Sequence, residues 1–338
     1  MANKQMEQTN GDLTRNETLF AAHPRCLDRK GNMSFSEKEA RAGMGSLRVF
    51  FGLAYLLTWV LLAPFFYLIS SVVHQPFPWW FWVLVPFAFI GGASPSAAAL
   101  LVTGWTQGRQ GVRRLLASLA AWRVAVRWYL FALGLPPAAT ALSVLIADGG
   151  LQTLRHFNSG AAFRALPLAY ALALPFGPLG EELGWRGYAL PRLLDRFDVW
   201  RATLLLGVLW TFWHVPMMLL RPGASIPAFL EVSPWTVAIY LGQVVSGTAM
   251  MTLLFLGSRG SVLLAVLCHL GLNTAESVVF NGLPDLSEVQ LRQIYFVNVT
   301  LLGFIGVSSL VLAARRSQSI ARSNNRMNPT AGGGLTVN

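Results

Sequence analysis

An all-α polytopic membrane bundle, with about eight transmembrane helices around a central cytoplasm-accessible cavity, is the fold class this sequence predicts. Three observations carry that expectation. Hydrophobic residues make up 54% of the 338 residues and charged ones only 12%, against roughly 25% charged in a soluble domain. Apolar stretches of the ~20 residues needed to cross hydrocarbon recur along the chain. Arginine and lysine gather in the short segments between those stretches, on one side.

Residues 1–45 are polar and mixed in charge, which predicts an N-terminal cytoplasmic tail. They are too polar, and too long before the first apolar run, to act as a cleaved signal peptide. Apolar spans follow at 48–73, 79–105, 127–147, 164–190, 202–220, 235–256, 261–281 and 294–313. The fourth is interrupted by Pro175, Gly177, Pro178 and Gly180, a composition that breaks a helix where it borders a cavity. The transmembrane domain is therefore expected over 46–314, with a flexible cytoplasmic tail over 315–338. The Trp79–Trp82 aromatic run reads as an interfacial belt.

The charge map orients these spans. With the N-terminus inside, 22 of the 26 Arg and Lys residues fall on the cytoplasmic side, which predicts both termini inside. The net charge of +11 therefore marks topology, and no nucleic-acid partner is expected. Two cysteines, Cys26 and Cys268, give neither a disulfide framework nor metal-ligand spacing.

Ionisable groups at bilayer depth cost roughly 2.5–3.5 kcal/mol each, so those that occur there call for a reason. Glu181 and Glu182 lie side by side, with Arg186 four residues on. His214 lies in Trp210-Thr-Phe-Trp-His-Val-Pro, and His269 in Cys268-His-Leu-Gly-Leu-Asn273. At ~1.5 Å per residue, Glu181 and His269 sit about 13 Å, and His214 about 18 Å, from the cytoplasmic ends of their spans. Those depths fit one shared site. A carboxylate and an imidazole together activate water at neutral pH. A second imidazole and an amide, His269 and Asn273, lie one helical turn apart and can donate to an oxyanion. Glu182 and Arg186 share that spacing and can form an ion pair, whereas Glu181 points about 100° away and stays free for chemistry. Trp210, one turn before His214, can buttress its ring.

The pattern Glu-Glu-x-x-x-Arg-Gly-Tyr, then aromatic-x-x-x-His-x-Pro, then His-x-x-x-Asn resembles the CPBP intramembrane proteases. These comprise the type II CAAX prenyl endopeptidases and the Abi or bacteriocin-processing relatives. The strings Gly91-Gly-Ala-Ser-Pro-Ser-Ala-Ala-Ala and Gly257-Ser-Arg-Gly-Ser-Val-Leu-Leu are similar to that family too. The resemblance covers roughly residues 48–281. It implies an intramembrane endopeptidase in which Glu181 and His214 polarise the attacking water and His269 and Asn273 stabilise the oxyanion. Glu182, Arg186 and Trp210 would support the architecture. The implied substrate is a membrane protein or lipidated peptide of the CAAX type, reached within the lipid bilayer, and the implied location is a bacterial inner membrane. No cofactor is expected, because His-Glu-x-x-His is absent and a glutamate–histidine-activated water explains every motif residue. Zinc is the alternative, with Glu181, His214 and His269 as its ligand set.

Taken one at a time, these residues have plainer readings. A lone intramembrane histidine or asparagine is often a hydrogen-bond partner between helices, and a Glu-Glu pair can be charge at a helix end. Their joint occurrence on three spans favours catalysis. Two other functions stay open at this level: an ion-coupled transporter, since intramembrane Glu and His serve proton relays, and a non-catalytic immunity or scaffold protein. Glu276 has no assigned role, and Gln243, Asn298 and Cys268 are expected to pack.

Overall fold

The computed structural model describes residues 37–70, 78–147, 150–220, 230–283 and 286–327. Cys26 lies outside the described residues, as does the side chain of Glu276. Among the described residues every regular element is helical. Residues Ser46–Ser317 form one compact unit; the remainder, Met1–Gly45 with Gln318–Asn338, forms another. Of the two expected tails, residues 37–45 and 315–327 are helical, and residues 1–36 and 328–338 lie outside the described residues.

The chain is a polytopic helical bundle. Five helices are long and apolar enough to cross a membrane: Gly45–Leu68, Val126–Ile146, Val199–Leu220, Pro234–Gly257 and Glu288–Gln318. Two bent pairs raise the number to as many as seven. Trp79–Gly92 meets Ser94–Ala120 at 62°, and Ser159–Leu168 meets Ala173–Leu194 at 45°. The remaining apolar segment expected from the sequence is helical over Val262–Asn281, but its apolar stretch Val262–Ala275 is shorter than a span.

The breaks have local causes. We label the helices that carry the site α1 (Glu37–Leu57), α2 (Trp79–Gly92), α3 (Ser94–Ala117), α4 (Ser159–Phe176), α5 (Pro178–Glu182), α6 (Val199–Trp213), α7 (Pro234–Gly257) and α8 (Val262–Asn281). Helix α4 stops at Gly177, whose φ of −140° and ψ of −93° are not helical, and Pro178 restarts the chain at the first position of α5. That position suits proline, whose missing N–H has no partner in a first turn anyway. Residues Leu183–Ala189 then widen into a π-helical segment, a geometry frequent at functional sites.

Small residues let this segment approach its neighbours. A Cβ at Gly184 would stand 2.4 Å from the carbonyl C and O of Pro95, and one at Gly180 would stand 2.9 Å from Cα of Ala93. The Glu-Glu segment therefore touches the start of α3 backbone to backbone, as small-xxx-small faces do in membranes. Helix α6 begins at Asp198, whose carboxylate accepts from Arg201 N, and packs along α7 across Gly207. Ser233 and Thr236 close a reciprocal cap at the start of α7. Helix α8 is launched by a tight turn in which Arg259 and Gly260 take positive φ and Ser261 Oγ donates to Ala121 O. These contacts fix the three motif helices in one core.

Candidate active site

Four of the side chains singled out by sequence, Glu181, Arg186, His214 and His269, converge on Trp210. Its indole Nε1–H donates to Glu181 Oε2 at 2.6 Å, and its carbonyl lies 2.9 Å from His214 Nδ1. The Arg186 guanidinium lies over its ring at 4.2 Å, and His269 meets that ring edge-to-face at 5.1 Å. Glu181 and His214 have no direct hydrogen bond among the described residues; the one tryptophan joins them by its side chain and its backbone.

A carbonyl only accepts, so the bond to Trp210 O assigns the proton of neutral His214 to Nδ1. Nε2 is left with its lone pair. His214 itself caps the C-terminal end of α6, its backbone N–H donating to Thr211 O. Its ring is held further by edge-to-face contacts with Trp213 at 4.8 Å and Tyr240 at 5.5 Å.

Glu181 is nearly buried. Oε2 takes a second N–H from Trp185 Nε1 at 3.3 Å, one turn on. Its other oxygen lies on the Gly177 side. A Cβ added at Gly177 would stand 3.6 Å from Glu181 Oε1 and 3.2 Å from Asn273 Nδ2. The helix break thus brings the carboxylate of one motif and the amide of another to the same spot. Asn273 is exposed, whereas His269 is buried.

Glu182 does more than the sequence indicates. Oε1 accepts from Arg186 Nη1 at 2.9 Å, the expected ion pair, and also lies 2.7 Å from His269 Nδ1. Glu182 and Arg186 have no solvent exposure at all. An ionised Glu182 assigns a proton to His269 Nδ1, so Nε2 is the atom that ring has left to offer. Arg186 Nη2 donates to Thr248 Oγ1 on α7. Glu182 Oε2 and Arg186 Nε have no hydrogen-bond partner among the described residues.

Sequence reasoning missed Trp185, Thr248, Tyr240 and the Glu182–His269 link. Trp185 was readable in principle, being one turn from Glu181. Thr248 sits in an apolar run where a threonine normally bonds its own helix, as this one also does through Val244 O. Nothing in the local sequence pairs Glu182 with His269, 87 positions away. Cys268 is buried, and Gln243 accepts from Tyr295, the packing roles expected of them. Glu181, His214 and His269, the set that zinc would need, do not form a metal-ligating group. No such group of three His, Cys, Asp or Glu side chains exists among the described residues.

Residues 163–275 match the family model described as type II CAAX prenyl endopeptidase Rce1-like. That stretch contains every side chain of the cluster from Glu181 to Asn273. This stretch is therefore similar to the CPBP family. The chain is also similar to CAAX prenyl protease 2 of Methanococcus maripaludis, 29% identical over 149 residues, which cover 43% of this chain and 54% of that protein. The match thus spans about half the length of that curated relative. The matched stretch comprises α5, α6 and most of α4 and α8, together with all of α7, so the helices that hold Glu181, Trp210, Thr248 and His269 all lie within it or overlap it.

Proposed function

We propose that this protein is an intramembrane endopeptidase that hydrolyses peptide bonds of membrane-associated substrates, including prenylated CAAX-type peptides. The observation that carries the reading is the Trp210 junction, which ties a buried carboxylate and a tautomer-fixed imidazole to one residue. Water held between Glu181 Oε1 and His214 Nε2 gives its proton to the carboxylate as its oxygen bonds the scissile carbonyl carbon. Negative charge then collects on the former carbonyl oxygen. His269 donates to that oxygen through Nε2–H as an imidazolium whose Nδ1–H is held by Glu182, and Asn273 Nδ2 donates beside it. When the C–N bond breaks, the proton on Glu181 passes to the leaving amine. Atoms and charge balance without a further reagent, and no metal enters the scheme.

The substrate approaches from the arginine-rich side, through a central cavity open to the cytoplasm. Both termini face that side, in the inner membrane of a bacterial cell. The similarity to CAAX prenyl protease 2 of Methanococcus maripaludis is the reason for choosing a prenylated peptide as the first substrate.

The test uses the full chain in detergent with a quenched farnesylated CAAX peptide, comparing wild type with Glu181→Ala and His214→Ala. Losing the general base is expected to lower cleavage by about a hundredfold to ten-thousandfold. Equal cleavage by wild type and both variants would sink the assignment.

A further inference from the structure

The Gly91-Gly-Ala-Ser-Pro-Ser string plays no part in the chemistry above, yet one of its residues reaches the site. We propose that Ser94 is a positioning residue for His214, acting through Trp213; the proposal rests on the water-activating role given to His214. Ser94 opens α3 at the 62° bend and is fully buried. Its Oγ lies 2.9 Å from Ala54 O on α1, 2.5 Å from Thr58 Oγ1 and 3.2 Å from Trp213 Nε1.

Proton accounting fixes the direction of the indole bond. Trp213 Nε1 can only donate. Ser94 therefore offers a lone pair to the indole, whichever of Ala54 O and Thr58 Oγ1 takes its own proton. Thr58 Oγ1 lies within reach of Gly91 O as well, which closes a buried hydroxyl pair across the α2–α3 bend. Trp213 is 1% exposed, so its N–H has no water to turn to if Ser94 is lost.

The indole that Ser94 holds stands between both halves of the water-activating pair. One side of it meets His214 edge-to-face at 4.8 Å, and it meets Trp185, the second donor to Glu181, at 6.0 Å. The bond to Trp210 O tethers His214 by a single atom. What keeps its ring from swinging about that tether is its aromatic contacts, Trp213 the nearest, then Tyr240 and the Trp210 ring. Freed from Ser94, the buried indole turns towards another acceptor, and the direction of His214 Nε2 is no longer fixed.

The test compares wild type, Ser94→Ala, Trp213→Phe and the double variant, by two readouts. The first is steady-state cleavage of the farnesylated peptide. Each single variant is expected to lower kcat about tenfold with KM within about twofold, since a misdirected ring loses reactive geometry rather than binding. The double variant should be no worse than about twofold below either single, because both remove the same bond. The second readout needs no substrate: carbethoxylation of His214 followed by mass spectrometry. It should rise about threefold in all three variants as the tethered ring loosens. A Ser94→Ala protein that melts earlier but keeps kcat and His214 reactivity would reduce Ser94 to a packing role and overturn the proposal. So would multiplicative effects of the two substitutions. If Ser94→Ala does not fold, Trp213→Phe with unchanged His214 reactivity overturns it as well. If wild type cleaves no peptide, the proposed function fails, and the labelling result still decides the role of Ser94.

Discussion

Replacing Glu182 by Gln removes one charge and almost no volume from the most buried part of the site. Gln keeps a carbonyl oxygen where Oε1 stands, so acceptors for Arg186 and His269 remain at 2.9 and 2.7 Å. What disappears is the negative charge opposite a guanidinium with no solvent exposure. Breaking a buried pair from one side costs about 3–5 kcal/mol, because the surviving charge is left uncompensated. The Arg186 Nε, already without a partner, adds nothing to offset that. At roughly 2–4 °C per kcal/mol, the melting temperature should fall by about 6–20 °C. The buried Cys268 thiol supplies the assay. In a Cys26→Ser background, a thiol-reactive dye labels Cys268 only once the bundle opens. A second arm adds Arg186→Met, which removes the stranded charge. The Glu182→Gln/Arg186→Met protein should recover part of the lost stability but not cleavage, since His269 still lacks its anionic anchor. A melting temperature within 2 °C of wild type for Glu182→Gln, about 1 kcal/mol or less, would refute the view that an ionised Glu182 bridges Arg186 and His269.

Three further outcomes are expected. Gly184→Ala puts a methyl 2.4 Å from Pro95 backbone atoms that cannot move aside; it should cost about 1–3 kcal/mol by the same thiol assay. A shift of ~1 Å in the glutamate segment should also lower cleavage about a hundredfold, and wild-type-like turnover would rule out the backbone contact. Trp210→Phe leaves the ring under Arg186 and the carbonyl for His214, but withdraws the 2.6 Å bond to Glu181. Losing a bond to a charged group should destabilise by about 1.5–3 kcal/mol, with kcat falling more than KM rises. Treatment with a strong chelator should leave cleavage unchanged, with zinc well below one equivalent by elemental analysis. Stoichiometric zinc whose removal abolishes cleavage would reverse the metal-free scheme.

The bundle and the residue types of its site are legible in the sequence because both rest on local signals. A run of apolar residues carries its own length, and Pro175 and Gly177 mark the break before Glu181 without reference to any other segment. The Glu182–Arg186 pair follows from a spacing of four. The contacts that turn these residues into one cluster are not local. Trp210 joins Glu181 across 29 positions, Glu182 joins His269 across 87, and Trp213 joins Ser94 across 119. Spacing within one helix says nothing about which indole meets which carboxylate. Sequence reasoning therefore gives Glu182 one partner and leaves Ser94 as part of a string with no role.

The separation of Glu182 from its two partners also sets an order of assembly. Arg186 is four residues away, so the ion pair can close as soon as its helix winds, and the segment enters the membrane with its cation already neutralised. His269 is made three apolar segments later. Until α8 arrives, Glu182 holds a proton donor on one side only, and Asn273 has not yet come up to Gly177. A nascent chain stopped before residue 269 therefore carries both glutamates inside an unfinished enclosure. Synthesis of the last motif closes that enclosure, so the chain gains its reactive geometry only near the end of its own insertion.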